Sequence, residues 1–136
     1  MDSFAHFIAA QDPIYQTVLA ELAAGRKVTH WMWFIFPQLT GLGQSATSQR
    51  FGIASLAAAK AYFAHPLLGA RLRQCTRLVN AVEGATIHQI FGSPDDLKFH
   101  SSMTLFAHAA PDEAEFRAAL ARYFDGKEDA RTLAML

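Results

Sequence analysis

Apolar positions along the chain recur with a helical period wherever a period is clear. Ile14, Val18 and Leu22 stand four apart behind Asp12-Pro13, which reads as an N-cap with proline at the first helical position, and Gly25 reads as the stop. A second, alanine-rich helix is predicted from Ser55 to near His65, because the residue before Pro66 is biased away from helical angles. Pro66 opens a third, in which Leu68, Leu72, Cys75, Val79 and Val82 alternate spacings of four and three and form one amphipathic stripe ending at Gly84. Thr86 to Phe91 predicts a short turn of helix. Ser93-Pro94-Asp95-Asp96 reads as N-cap, proline and two early acids, and launches a helix to about Ala110. Phe116, Leu120 and Phe124 mark another helix within Asp112 to Phe124, and Glu128 to Leu136 predicts a last short one. Apart from the ambiguous aromatic run at Trp31 to Phe36, no segment alternates as a strand does. The expectation is an all-α, compact single domain over residues 1–136: a bundle of about six to eight short and medium helices without a sheet.

The helix from Asp95 carries the first candidate chemistry. At about 100° per residue, Leu97 and Leu105 fall on one side and Phe99, Met103 and Phe106 on another, flanking a narrow strip with Asp95, Lys98 and Ser102. Two apolar flanks imply two packing neighbours. A lysine on the strip between them needs a counter-charge, since an ammonium losing its hydration either pairs or deprotonates. Asp95, three residues earlier, is the internal partner at hand. The alternative is that Lys98, Ser101 and Ser102 face an anionic or carbonyl-bearing ligand, with the hydroxyls as donors. Both readings stand at this point.

The second candidate is the window Thr29-His30-Trp31-Met32-Trp33-Phe34-Ile35-Phe36-Pro37-Gln38, which holds both tryptophans and two of the eleven phenylalanines. Each large aromatic buries roughly 150–250 Å², about 4–6 kcal/mol gross at roughly 25 cal/mol per Å², so the window suffices to anchor a core. Core packing does not explain its polar edges. His30 or Gln38 drawn inside costs about 1–3 kcal/mol if left unpaired, so each needs a partner from the protein or from a ligand.

Composition narrows the classes. The 136 residues suit one domain, and 51% hydrophobic with 18% charged residues is a globular balance. Twelve basic residues match twelve acidic ones, with no basic run longer than Arg26-Lys27, which argues against nucleic acid or an anionic membrane as partner. The longest apolar run, Trp31 to Phe36, is far short of the roughly 20 residues that span a bilayer. With Met-Asp-Ser at the start in place of a basic leader, a cytoplasmic location is expected. The lone Cys75 permits no internal disulfide and, on an apolar helix face, reads as a small core residue. Gly41-Leu42-Gly43-Gln44-Ser45-Ala46 formally matches the dinucleotide fingerprint. Pro37 interrupts the would-be strand, however, and no acidic residue follows at the required distance, so no nicotinamide or flavin cofactor is expected. The loop's two glycines still allow backbone N–H groups to approach an anion. No two of the six histidines stand four apart and no cysteine has a partner at ligand spacing, so no metal is expected. Ser101 and Ser102 lack the strand-to-helix elbow of a hydrolase nucleophile.

Four ordered blocks carry a family resemblance: His30 to Leu39; the Gly-Leu-Gly-x-Ser loop at Gly41 to Ser45; His-Pro-Leu-Leu-Gly-x-Arg-Leu at His65 to Leu72; and Phe91 to Phe106, with Pro94-Asp95-Asp96, Lys98 and Ser101-Ser102-Met103. Together they resemble the bacterial domain-of-unknown-function family DUF1810 nearly end to end. The resemblance implies a small all-α fold and brings no settled reaction, ligand or partner. Two positions depart from its usual pattern: Thr29 stands where serine is common, and Phe51 where tyrosine is common.

Two function classes follow. In the first, the aromatic block walls a pocket that binds or processes a small polar or anionic metabolite. The contact residues expected for it are His30, Trp31, Trp33, Gln38, Ser45, His65, Lys98, Ser101 and Ser102. If such a site is catalytic, His30 is the candidate acid or base and Lys98 the group that stabilises developing negative charge. In the second class the block is partly exposed and docks a protein partner. Neither reading sets the oligomeric state; a monomer is compatible with both.

Overall fold

The computed structural model describes residues 3–43 and 45–136. Among these residues ten helices follow one another through short connections: α1 (Ala5–Gln11), α2 (Tyr15–Ala23), α3 (Met32–Ile35), α4 (Ala46–Arg50), α5 (Leu56–Ala64), α6 (Pro66–Ala81), α7 (Ile87–Phe91), α8 (Asp95–Ala109), α9 (Ala114–Phe124) and α10 (Ala130–Met135). The all-α expectation holds, and the helix count rises above six to eight because α1, α3 and α4, which the apolar pattern did not single out, are helical as well. None of the described helices is long and apolar enough to cross a membrane.

Local chemistry accounts for most boundaries. The Ser55 side chain accepts from the Ala58 amide at the start of α5, and Thr86 and Gln89 form a reciprocal capping box on α7. Pro66 occupies the first turn of α6, as its missing N–H allows. Two start signals belong elsewhere. Asp12-Pro13 ends α1 instead of opening α2: the Asp12 amide donates to Ile8 O and its carboxylate pairs with Arg71 at 2.9 Å. Ser93 caps nothing, for α8 starts without a side-chain cap and draws on Asp95 and Asp96 in its first turn.

Helix α8 is the axis of the molecule. It packs against α5, α7, α9 and α10, and Ser101 through Ala107 are buried on every side. The predicted polar strip therefore does not run its length: Asp95 and Lys98 stay partly accessible near the N-terminal end, whereas Ser102 is fully enclosed. Leu97, expected on an apolar flank, is 62% exposed. Helix α6 packs against α2, α5 and α9. Its Gly69 lies against the end of α5 so closely that a Cβ there would sit 2.0 Å from the Phe63 carbonyl oxygen.

The aromatic run resolves into a single helical turn. Trp31, Met32, Ile35 and Phe36 point inward, while Trp33 and Phe34 are half-buried. Phe36 packs edge-on to Phe99 at 5.0 Å, and Phe99 stacks on Phe91 at 5.0 Å. After Pro37 the chain extends, and Leu39 forms an isolated parallel bridge with Ile53.

Candidate functional site

The N-terminal turn of α8 meets α3 and the segment after α2 at a cluster of two lysines, two tryptophans and one carboxylate. Gly25, at φ +75°, turns the chain out of α2, and the Lys27 amide donates to Ile90 O at 2.7 Å. Lys27 Nζ then lies 2.8 Å from Asp95 Oδ2, and Lys98 Nζ lies 3.2 Å from Asp95 Oδ1. One carboxylate thus bridges two ammonium groups, with the Lys27 side chain only 6% exposed. Each cation also faces an indole: Lys98 Nζ is 3.7 Å from the Trp33 ring centroid and Lys27 Nζ 5.1 Å from that of Trp31.

Two clefts open on either side of this cluster. The larger, about 320 Å³, is lined by Lys27, His30, Trp31, Trp33, Thr47, Asp95 and Lys98 among others. The smaller, about 180 Å³, is lined by Trp33, Gln38, Gly43, Lys98, Ser101 and Arg131 among others. Trp33 and Lys98 are common to both. A wider depression of about 560 Å³ lies between Gly84–His88 and Arg122–Tyr123. Its polar groups are already engaged: Arg122 donates to Val82 O, the Tyr123 hydroxyl to Val79 O, and His88 pairs with Asp96.

The wall of the larger cleft is pinned from behind by Glu21 on α2. Its carboxylate accepts from the amides of Val28 and Thr29, from the Thr29 hydroxyl and from the Trp31 indole N–H. Burial pushes the Glu21 pKa up, but these hydrogen bonds outweigh it and hold the carboxyl down at about 2. The Thr29 hydroxyl that does this is one serine would also supply.

The pattern of a family described as a protein of unknown function, DUF1810, matches residues 2–136. The chain belongs to the DUF1810 family. It is similar to the crystal structure of the conserved hypothetical protein Rv1873 from Mycobacterium tuberculosis: 56% identity, a TM-score of 0.97, and coverage of 98% of this chain and 95% of that one. No curated protein matches.

In this DUF1810 chain the expected contact residues divide into two sets. His30, Trp31, Trp33 and Lys98 line the larger cleft, and Trp33, Gln38, Lys98 and Ser101 the smaller. Ser45, His65 and Ser102 line neither. Ser45 caps α4 by accepting from the Ser48 amide, and His65 Nδ1 accepts from the amides of Leu67 and Leu68 at the start of α6. Ser102 is enclosed within α8's packing, and its hydroxyl finds no partner among the described residues. Ser101 does not present its proton to the cleft: Oγ is placed to donate to Leu97 O or to Asp129 Oδ2.

The glycine loop is shaped by packing. A Cβ on Gly43 would lie 2.8 Å from that of Ser48, and one on Gly41 would lie 3.1 Å from Met135 Cε. Phe51 packs among His6, Phe7 and Phe34 and lines neither cleft, so the hydroxyl it lacks relative to the family pattern falls outside the site.

Lys27 and Arg131 were not legible as site residues, because nothing in their local spacing sets them apart. Chemically, the arrangement can hold a negative group against fixed cations and an apolar group against indole. Among the described residues no carboxylate or carbonyl orients the His30 ring, and no cluster of three His, Cys, Asp or Glu side chains is placed to hold a metal.

Proposed function

We propose that the paired clefts around Trp33 and Lys98 bind a small anionic metabolite, at a cytoplasmic site of action that suits the single buried Cys75. The observation that carries this reading is the sharing of Asp95 by Lys27 and Lys98: two cations face one carboxylate beside two indoles, which leaves positive charge in a concave wall of mixed polar and aromatic groups. Docking of a protein partner on the aromatic block has less support, since Trp31, Met32, Ile35 and Phe36 are interior.

A ligand that binds only the native state raises its melting temperature. In a thermal-shift screen of the purified protein, phosphorylated or carboxylated metabolites should raise the midpoint while neutral analogues do not, and Lys98→Met should abolish the shift. A panel with no anionic hit, or hits unchanged in Lys98→Met, would sink the proposal.

A further inference from the structure

Gln38 is 9% exposed and lines the smaller cleft. Its backbone is locked in place, for Ile53 N donates to Gln38 O at 2.9 Å and Thr40 N donates to Ile53 O at 2.9 Å. Yet among the described residues its side-chain amide makes no hydrogen bond. The carboxamide is not among the fully enclosed groups without a partner, so it reaches solvent through the cleft, where a ligand atom can take the place of water.

The same cleft contains the least satisfied cation of the site. Asp95 partly neutralises both Lys27 and Lys98, but Arg131, on α10, touches only a neutral acceptor, the Leu42 carbonyl oxygen at 3.0 Å. No carboxylate pairs with Arg131 among the described residues. Asp129 lies behind Ser101, where its Oδ2 already accepts from the Thr132 amide and hydroxyl. An arginine fork free of carboxylate and a lysine across the cleft form a place for a planar or tetrahedral oxyanion.

We infer that the smaller cleft is an oxyanion subsite. It takes the carboxylate or phosphate of the ligand proposed above, on which this inference rests. Arg131 and Lys98 supply the counter-charge and the Gln38 amide N–H is the neutral donor. At about 180 Å³ the cleft has room for a head group and little more, and the larger cleft of about 320 Å³ takes the ligand's planar or apolar body along Trp33. Helix α10 thereby completes the site from the far end of the chain.

The test is a titration of the full chain, followed by tryptophan fluorescence and calorimetry. The probes are phenyl phosphate, benzoate and inorganic phosphate, with benzyl alcohol as the neutral match. At least one aromatic anion should bind, and benzyl alcohol should bind at least about tenfold more weakly. Arg131→Gln and Gln38→Leu should each weaken the anion by about tenfold or more, corresponding to about 1.4 kcal/mol. Arg77→Gln, at a residue that lines neither cleft, should leave it unchanged. Phenyl phosphate ahead of benzoate assigns a phosphate, and the reverse order a carboxylate. Arg131 is exposed, so its variant keeps the fold. Wild-type affinity in Arg131→Gln or in Gln38→Leu, with binding still lost in Lys98→Met, would overturn the subsite while sparing the wider function. No binding of any probe at millimolar concentration would overturn both.

Discussion

Glu21 sits near the end of α2 and lines neither cleft, yet it holds the backbone and indole from which the larger cleft is built. Hydrogen bonds to a charged acceptor are each worth about 1.5–3 kcal/mol when formed away from solvent, and less where the group is partly open to water. Replacing Glu21 by Gln should therefore cost about 1–2 kcal/mol at neutral pH. The pH dependence has a definite sign. The folded pKa of about 2 lies below the ordinary value of 4.5, so this stabilisation is complete above about pH 4.5 and is lost as the pH falls toward 2. Urea unfolding at several pH values should show that Glu21→Gln flattens the acid limb of the wild-type stability curve. An unchanged limb would mean that other carboxylates, such as Glu128 with its Arg117 and His108 partners, carry it. Sequence pattern alone marked His30 and Gln38, at the edges of the aromatic window, as needing partners. It gave no sign that the neighbouring Thr29 and Trp31 would bond to Glu21, because hydrogen-bond geometry across a turn leaves no periodic trace.

Between elements, the decisive contact is the approach of α6 to α5 at Gly69. A methyl group there would meet the Phe63 carbonyl, a backbone atom that cannot swing aside. Gly69→Ala removes a helix-weakening glycine, worth about 1 kcal/mol on propensity alone. Overpacking of about 3 kcal/mol or more should outweigh that gain. Thermal unfolding should show a clear net loss; a gain would mean that α5 can retreat freely. The same contrast explains which helices were legible. The stripe Leu68, Leu72, Cys75 and Val79 appears as a buried face because it has enough turns to show a period. The aromatic run had no period to read, since apolar residues occupy both its inward and its half-exposed positions. At Asp12-Pro13 the local chemistry fitted either a start or a stop, and the pairing of Asp12 with Arg71 on α6 accompanies the second.

Across the whole molecule, one continuous core ties these elements together, and Cys75 lies within it. Burial pushes its thiol up to about 12, partly offset by the Tyr15 hydroxyl and by Arg71. The native protein should resist a thiol-specific disulfide reagent at neutral pH and react on unfolding, with the labelling rate following global stability as denaturant is added. Rapid labelling without denaturant would show local opening of α6. The site is a property of this scale too, for its members come from the segment after α2, from α3, α8 and α10, and from the extended stretch holding Gln38.

The sequence by itself determined the all-α class, the single domain, the longer helices and the burial of Cys75, and it named His30, Trp33, Gln38 and Lys98 as candidates. Those properties follow from local propensity, from period and from the chemistry of individual side chains, all of which act over a few residues. Only the tertiary structure decided that Lys27 and Lys98 share Asp95, that Arg131 lines the smaller cleft, and that Ser45 and His65 serve as helix caps while Ser102 is enclosed. Each of these depends on where helices cross and on what covers a given face. That arrangement is fixed by side chains interdigitating between elements distant along the chain, and such complementarity has no local signature.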